Sequence, residues 1–444
     1  MADPRIAVLK AREILDSKAR PMVEADVWTD TGVPGRGASP CGTSVGQHEA
    51  HVLRDGGTRY GGLGVRRAVQ NVMEVIFPAI RHMSVMDQRA IDARLVELDG
   101  TPNKSRLGAN AVYSVSIAVA RAAATAAGVS LYRQLSPEAN RLPVPMFNMI
   151  NGGTFGTVQM PFQEFLLIPA TADRYSEALR MGVEAYNALP AVIRQRCGKD
   201  RVRVGSSAGY GAPSSDPGDV LEILLEAANA AGSGGQFRLG LDCAASHFYD
   251  AATGRYRFRS SLVGRDELTA TLDALARKYN LFMIEDPLEE NDFEGFTRMT
   301  RRTSALIVGD DLFVTNLDRV KRGVAERAGN GMVLKPNMVG TITEAMDAAR
   351  YAAAYGFTVI GSGRAGGSID DPIPDIAVAI GAPLVKFGAP RTGERLGKQN
   401  VLLRIEEELG ESARFAGPEL LGISGRREVS GCVRSSEAEA QLGL

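Results

Sequence analysis

The sequence has few of the residues that mark secreted, membrane-bound or nucleic-acid-binding proteins. Its four cysteines are far apart and form no Cys-x-x-Cys pair, so neither a disulfide framework nor a thiolate zinc site is indicated. No apolar run is long enough to cross a bilayer, and the first residues lack the apolar core of a signal peptide. The net charge is −1 without a basic patch, so we expect no nucleic-acid or membrane partner. These features predict a cytoplasmic protein.

Histidine and lysine are also scarce. The only histidines are His48, His51, His82 and His247, and nine lysines stand against 42 arginines. A metal site in this chain is therefore expected to use oxygen ligands more than imidazole. Because lysine is scarce, a lysine at the end of a predicted strand is more indicative of a functional role.

A chain of 444 residues is long enough to favour two domains. Residues 1–45 predict a strand meander, because β-branched runs alternate with glycine and proline turns. Residues 60–135 have a helical pattern, with an Ala-rich helix expected from Ala109 to Ala127. Residues 142–146, LPVPM, predict a hinge. We expect an α+β domain over residues 1–140.

Short apolar runs that end in polar or glycine residues dominate residues 141–425. Most are followed by a helical pattern, so we expect a (β/α)₈-type barrel. The eight predicted strands are 164–169, 202–207, 237–242, 281–286, 305–311, 331–335, 357–364 and 383–388. The small, polar tail at 426–444 is expected to be flexible.

Four of the predicted strands end in residues that could form one site. Asp242, Glu285, Asp310 and Lys335 are separated by 43, 25 and 25 residues, roughly one strand-helix unit each. Their side chains are therefore expected at the carboxyl-terminal mouth of the barrel, where barrel active sites lie. Any single carboxylate there could be a helix cap. Three that converge favour a cation, and oxygen-only ligands favour Mg²⁺.

Two lysines end predicted barrel strands. Lys335 beside a divalent cation is expected to have a lowered pKa, as a general base requires. Lys386 ends the run PLVK and is suited to holding a carboxylate or stabilising an enediolate.

Long motifs across the chain carry a family resemblance. They are REILDS, GTPNKSRLGANA, LPVPMFNMINGG, QEF, LDCAAS, IEDPL, VGDDLFVTN and LLRIEEELG. Through them the chain resembles the enolase family over residues 1–412. The resemblance implies an α/β fold in which an enolase-type (β/α)₈-like barrel follows an α+β N-terminal capping domain. It also implies a homodimer, and Mg²⁺ at one tight site with a second ion bound alongside the substrate.

The resemblance assigns roles to individual residues. Asp242, Glu285 and Asp310 match the ligands of the first Mg²⁺, and Lys335 matches the base that removes the proton α to the carboxylate. Lys386 matches the lysine beside the substrate carboxylate. The remaining matches are Gln163 and Glu164 near the substrate hydroxyl, Arg364 at the phosphate, and Ser44 on a mobile loop that reaches the second Mg²⁺.

The chain departs from the family pattern at one end of this site. Ser207 stands where enolases have a glutamate that helps to expel the hydroxyl, and Phe155 stands in place of a histidine. The phosphate end reads Ser-Gly-Arg-Ala-Gly-Gly at 362–367 where enolases have Ser-His-Arg-Ser-Gly-Glu. The mobile loop at 41–46 has also lost two hydroxyls.

Because these changes cluster around the leaving hydroxyl and the phosphate, three functions follow as hypotheses. The main expectation is a lyase or transferase that acts through an enolate on a small phosphorylated or phosphonate carboxylic acid. One enolase-like group with this profile is the carboxyphosphonoenolpyruvate synthases of phosphinothricin-type antibiotic biosynthesis, and the chain is expected to be a member of that group. The alternatives are an enolase of reduced efficiency, which converts 2-phosphoglycerate to phosphoenolpyruvate, and a non-catalytic enolase-like binding protein.

Overall fold

The N-terminal part of the chain is an antiparallel sheet covered by helices. The computed structural model describes residues 3–43, 45–153, 160–205 and 207–420. Strands β1 (Ile6–Leu15), β2 (Pro21–Thr29) and β3 (Pro34–Ser39) pair in the order β1-β2-β3. The meander expected from residues 1–45 is confirmed.

The Ala-rich segment forms a helix over Ala109–Ala127, as predicted. It packs closely on β3. A β-carbon added to Gly35 would collide with the carbonyl of Ala118, and one on Gly37 would collide with that of Ser114. Small residues on both elements therefore permit an approach that larger side chains would prevent.

Eight strands form a closed barrel after this layer. They are β4 (Val144–Asn151), β5 (Glu164–Ile168), β6 (Arg238–Asp242), β7 (Met283–Glu285), β8 (Leu306–Gly309), β9 (Gly331–Leu334), β10 (Thr358–Ser362) and β11 (Leu384–Lys386). Strand β5 is antiparallel to both neighbours, β4 and β6. The strands from β6 to β11 are parallel, and β11 pairs with β4 to close the barrel.

One predicted strand is wrong. The described residues of 202–207 make one isolated bridge, from Val204 to Tyr210, and Val204 is 45% exposed, so the run lacks the buried apolar side chain that a barrel strand needs at this position. The strand that completes the barrel is Val144–Asn151, which overlaps the predicted hinge. Pro145 has no N–H to donate, and it precedes the stretch that pairs with β5, which begins at Phe147. All eight residues of the strand are buried.

The longer helices are α1 (Gln88–Asp99), α2 (Ala109–Ala127), α3 (Tyr175–Cys197), α4 (Pro217–Ala230), α5 (Arg265–Tyr279), α6 (Phe293–Arg302), α7 (Leu317–Glu326), α8 (Ile342–Ala354), α9 (Ile373–Ala379) and α10 (Gly393–Leu409). Of these longer helices, α1 and α2 belong to the N-terminal layer, and the others follow the barrel strands. Shorter helical segments are Arg59–Gly62, Arg66–Asn71, Val72–Ile76, Phe77–Ile80, Leu131–Leu135, Lys199–Arg201, Ala245–Phe248, Pro336–Met338, Gly410–Ser412 and Gly417–Leu420. Minor strands are Arg141–Leu142, Tyr210–Gly211, Tyr249–Asp250, Arg255–Phe258, Ser261–Val263 and Arg414–Phe415. Among the described helices, none combines the length and apolarity needed to span a membrane.

The barrel interior is filled with apolar side chains, among them Met146, Leu166, Met283, Val333 and Ile360. A second core lies between the strands and the surrounding helices, and a third fills the N-terminal layer. Because the barrel is packed through its middle, a polar site can form only at its ends.

Candidate active site

Strand register brings three carboxylates side by side at one end of the barrel. Glu164 pairs with Asp242 across β5 and β6, and Asp242 pairs with Glu285 across β6 and β7. Glu164 is the first residue of β5, whereas the other two are the last residues of their strands. It reaches the same end because β5 runs in the opposite direction to its neighbours.

The ammonium of Lys386 lies among these carboxylates. Its Nζ is 2.6 Å and 2.7 Å from the two carboxylate oxygens of Glu285, 3.0 Å from Oδ2 of Asp242 and 3.4 Å from Oε2 of Glu164. Three carboxylates around one lysine leave an excess of negative charge in a buried place.

Burial and mutual repulsion shift the pKa values of these groups. Burial, followed by the charge of Asp242, raises the pKa of Glu285 well above its ordinary value. Burial also raises the pKa of Glu164, although Lys386 opposes it. Conversely, burial lowers the pKa of Lys386 but the surrounding carboxylates outweigh it, so its pKa is raised overall. The ammonium is therefore held charged, while Glu164 is biased towards its protonated form.

Lys335 follows β9 and donates to Oδ2 of Asp310, which follows β8. Burial lowers the pKa of Lys335, but the charge of Asp310 raises it more, so the pKa lies above its ordinary value. The physical reason for the raised value is the direct ion pair with Asp310. The lowered pKa expected beside a divalent cation stays a prediction, because the raised value belongs to the protein groups alone.

The predicted ligands suit a hard divalent cation. Asp242, Glu285 and Asp310 offer only oxygen donors, and Oδ1 of Asp310 is buried without a hydrogen-bond partner among the described residues. The two ammonium groups of Lys335 and Lys386 carry too little positive charge to neutralise these three carboxylates and that of Glu164. A divalent cation would offset the excess charge, and carboxylate oxygens are the ligands that Mg²⁺ prefers.

Sequence reasoning missed two further acids, Asp286 and Asp311. Oxygens of Asp286, Asp310 and Asp311 lie within 4.8 Å of one another. The carboxylate of Asp286 accepts from the backbone N–H groups of Asp310 and Asp311 at 3.0 Å and 2.9 Å, so it fixes the segment after β8. Burial is the largest cause, and the negative charge of Asp310 the second, of a shift that raises the pKa of Asp311 to about 7. The paired acids in IED and GDD were the available signal.

Arg364, predicted to bind phosphate, lines the same cavity as Lys335 and Lys386. Its Nη1 donates to Oε2 of Glu49 at 2.7 Å, and its Nη2 donates to Oε1 at 3.2 Å. Thr43 also donates to the carbonyl of Ala365 at 3.1 Å. The segment that follows β3 therefore lies against the phosphate end of the predicted site. No motif in the sequence pointed to Glu49.

The remaining predicted residues divide into two groups. Gln163, Glu164 and Ser207 line this cavity, and Glu164 accepts from Nδ2 of Asn148 at 2.6 Å. The hydroxyl of Ser207 is buried without a partner among the described residues. Ser44 and Phe155 lie outside the residues that the structure describes, as does the predicted flexible tail at 426–444.

Comparison with known proteins connects this site to one family. A family model described as the N-terminal domain of enolase matches residues 6–135, and one described as the C-terminal TIM barrel domain of enolase matches residues 139–422. A protein named enolase from Methanopyrus kandleri is 47% identical over 420 residues, which cover 94% of this chain and 98% of the relative. Another, from Methanothrix thermoacetophila, is 47% identical and covers 93% and 98%. A third, from Pyrococcus furiosus, is 46% identical and covers 92% and 96%.

These relatives correct the main functional expectation. That expectation, a carboxyphosphonoenolpyruvate synthase, depended on a few altered positions at one end of the site. The similarity to proteins named enolase extends over more than nine-tenths of the chain, so it contradicts that expectation and favours the enolase alternative. An enzyme of the enolase superfamily, with its capping domain and barrel, is confirmed. Both halves of the sequence match, and this chain belongs to the enolase family.

Proposed function

We propose that this chain removes water from 2-phosphoglycerate to give phosphoenolpyruvate in a Mg²⁺-dependent reaction. The observation that carries the proposal is the meeting of Lys335 and Lys386 with the carboxylates at one end of the barrel. A proton α to a carboxylate is weakly acidic, so its removal needs a positioned base and cations beside the developing charge. Relatives named enolase support the same reaction.

The two lysines have different tasks in this reaction. Lys335 takes the proton from C2 of the substrate, and Lys386 holds the substrate carboxylate as its negative charge grows. Asp242, Glu285 and Asp310 would hold the metal. Mg²⁺ at these carboxylates would stabilise the charge that develops on the substrate and weaken the hold of Asp310 on the Lys335 proton.

The leaving hydroxyl needs a proton from a nearby acid. Glu164 can supply it, because burial raises its pKa and its Oε2 has no hydrogen-bond partner among the described residues. The bond from C3 to the hydroxyl then breaks, water leaves, and the electron pair from C2 forms the double bond. Ser207 is too weak an acid to assist at neutral pH, so we expect turnover to be slower than with a second carboxylic acid.

The test is to incubate the purified chain with 2-phosphoglycerate and Mg²⁺ and to follow phosphoenolpyruvate by ³¹P NMR. We expect phosphoenolpyruvate to form, to stop forming in excess chelator, and to form again when Mg²⁺ is restored. A complete absence of product at high enzyme concentration would refute the proposal. The non-catalytic binding hypothesis would then be favoured.

A further inference from the structure

A third lysine lines the cavity that holds Lys335 and Lys386. Lys398 lies on α10, in the second turn of the helix that follows β11. The residue is only 2% exposed. The reaction described above gives this buried ammonium no task.

The ammonium of Lys398 is weakly neutralised in comparison with the other lysines of the cavity. It donates to the carbonyls of Glu394 and Ser368 at 3.0 Å and 3.3 Å. Its carboxylate partner among the described residues is Asp371, 3.5 Å away. A lysine ammonium has three N–H donors; two go to the carbonyls, and the third makes no hydrogen bond among the described residues, although Asp371 lies at ion-pair distance. Lys386, by contrast, lies among three carboxylates.

Two glycines pack against the Lys398 side chain. A β-carbon on Gly363 would lie 3.0 Å from Cε of Lys398, and one on Gly367 would lie 3.3 Å from its Nζ. Any side chain at either position would crowd or cover the lysine. Both glycines belong to the segment that carries Arg364, and Gly363, Arg364 and Lys398 line the same cavity, so Lys398 lies at the predicted phosphate end of the site.

We propose that Lys398 is a further substrate-binding residue, which acts with Arg364 to hold the phosphoryl group. The assignment rests on the proposed function, because that function supplies a phosphorylated substrate. Glu49 already occupies two donors of Arg364, so a phosphoryl dianion needs additional positive charge. Lys398 supplies it from the wall of the cavity that it shares with Arg364.

The opposing interpretation is that Lys398 only ties α10 to the segment at 363–371. Two variants distinguish the interpretations. Lys398→Met removes the charge and keeps most of the side-chain volume. Gly367→Glu keeps the lysine but places a carboxylate beside it, and the backbone at Gly367 does not have the positive φ that would strain a side chain. Lys278→Met, at a lysine side chain that is 65% exposed, is the control.

The readouts are equilibrium affinities for phospholactate and for Mg²⁺, measured by calorimetry. Phospholactate carries the carboxylate and phosphoryl group but lacks the hydroxyl that leaves, so it is not dehydrated. We expect both test variants to bind it roughly 10- to 100-fold more weakly, the loss of one hydrogen bond to a charged group. Mg²⁺ affinity without phospholactate, and every affinity of the control, should stay unchanged.

Unchanged phospholactate affinity in both variants would overturn the assignment. So would a parallel loss of Mg²⁺ affinity in both, since that result indicates a structural tie. If Lys398→Met does not fold, the phospholactate affinity of Gly367→Glu alone tests the assignment. A wild type that binds phospholactate but never dehydrates 2-phosphoglycerate would refute the proposed function and leave the Lys398 result readable. A wild type that does not bind phospholactate would overturn both the Lys398 assignment and the proposed function.

Discussion

The guanidinium of Arg364 and the carboxylate of Glu49 form a buried pair joined by two hydrogen bonds, of 2.7 Å and 3.2 Å. Their side chains are 4% and 3% exposed. The pair connects the segment after β3 to the rim of the barrel. It also neutralises an arginine that would otherwise be buried beside Lys335 and Lys386.

The first prediction concerns the stability that this pair provides. Glu49→Ala leaves the guanidinium buried without its carboxylate, so we expect the free energy of unfolding to fall by about 3–5 kcal/mol. Chemical denaturation measures the change. Glu97→Ala removes the partner of Arg94 in a surface pair and should cost only about 0–1 kcal/mol. Equal losses in both variants would contradict a special role for the buried pair.

The second prediction concerns the metal ligands. Alanine at Asp242, Glu285 or Asp310 should abolish Mg²⁺ binding and turnover, because each replacement removes an oxygen donor from the charged cluster. Calorimetric titration with Mg²⁺ measures the first effect, and circular dichroism checks that the fold remains. Glu294→Ala, at a carboxylate on α6 whose side chain is 64% exposed, is the control. Full turnover in any of the three variants would exclude that residue as a ligand.

The third prediction separates proton removal from binding. Lys335→Ala should lower kcat by several orders of magnitude while the affinity for phospholactate changes only a few-fold, the signature of a transition-state interaction. The wild type should exchange the α-proton of 2-phosphoglycerate with D₂O, and the variant should not. If exchange persisted without Lys335, another group would be the base.

The fourth prediction concerns the missing acid. Ser207→Glu should raise kcat for dehydration by roughly 10²-fold, the lower end of what a positioned general acid contributes. The rate of α-proton exchange should change much less, because that step precedes departure of the hydroxyl. Ser207→Gln is the control of matched size. An equal response to glutamate and glutamine would show that volume, not acidity, limits the reaction.

The fifth prediction uses a buried carboxyl group outside the site. Burial raises the pKa of Asp92 to about 6, although Thr343 and Gln88 donate to it. Since its ordinary value is 3.8, the folded state binds one more proton than the unfolded state between about pH 4 and 6. This group's contribution to stability is therefore present below that window and lost as the pH rises through it.

The asparagine side chain in Asp92→Asn cannot titrate. The free energy of unfolding of this variant should therefore not show the loss that Asp92 causes as the pH rises. The measurement is the free energy of unfolding of both proteins at pH 4 and pH 7, which isolates the contribution of Asp92 from that of other groups. If the difference between the two proteins were the same at both values, the shifted pKa would be wrong.

The order of residues along the chain was enough to predict which side chains meet at the barrel end. Asp242, Glu285, Asp310, Lys335 and Lys386 each end a strand or follow one directly. Parallel strands with regular crossovers meet at the same edge, so spacing along the chain was enough to place these side chains together. The Ala109–Ala127 helix was likewise fixed by local pattern.

Tertiary structure decided what local pattern does not record. Strand Val144–Asn151 and the reversed direction of β5 depend on pairing between segments, and that reversal brings Glu164 to the same end as Asp242. Glu49 meets Arg364 across 315 residues of sequence, and the Asp310 ion pair raises the pKa of Lys335. Lys398 lines the cavity in close contact with Gly363 and Gly367. These features depend on distance through space, because charge and steric contact act between neighbours in the fold wherever they stand along the chain.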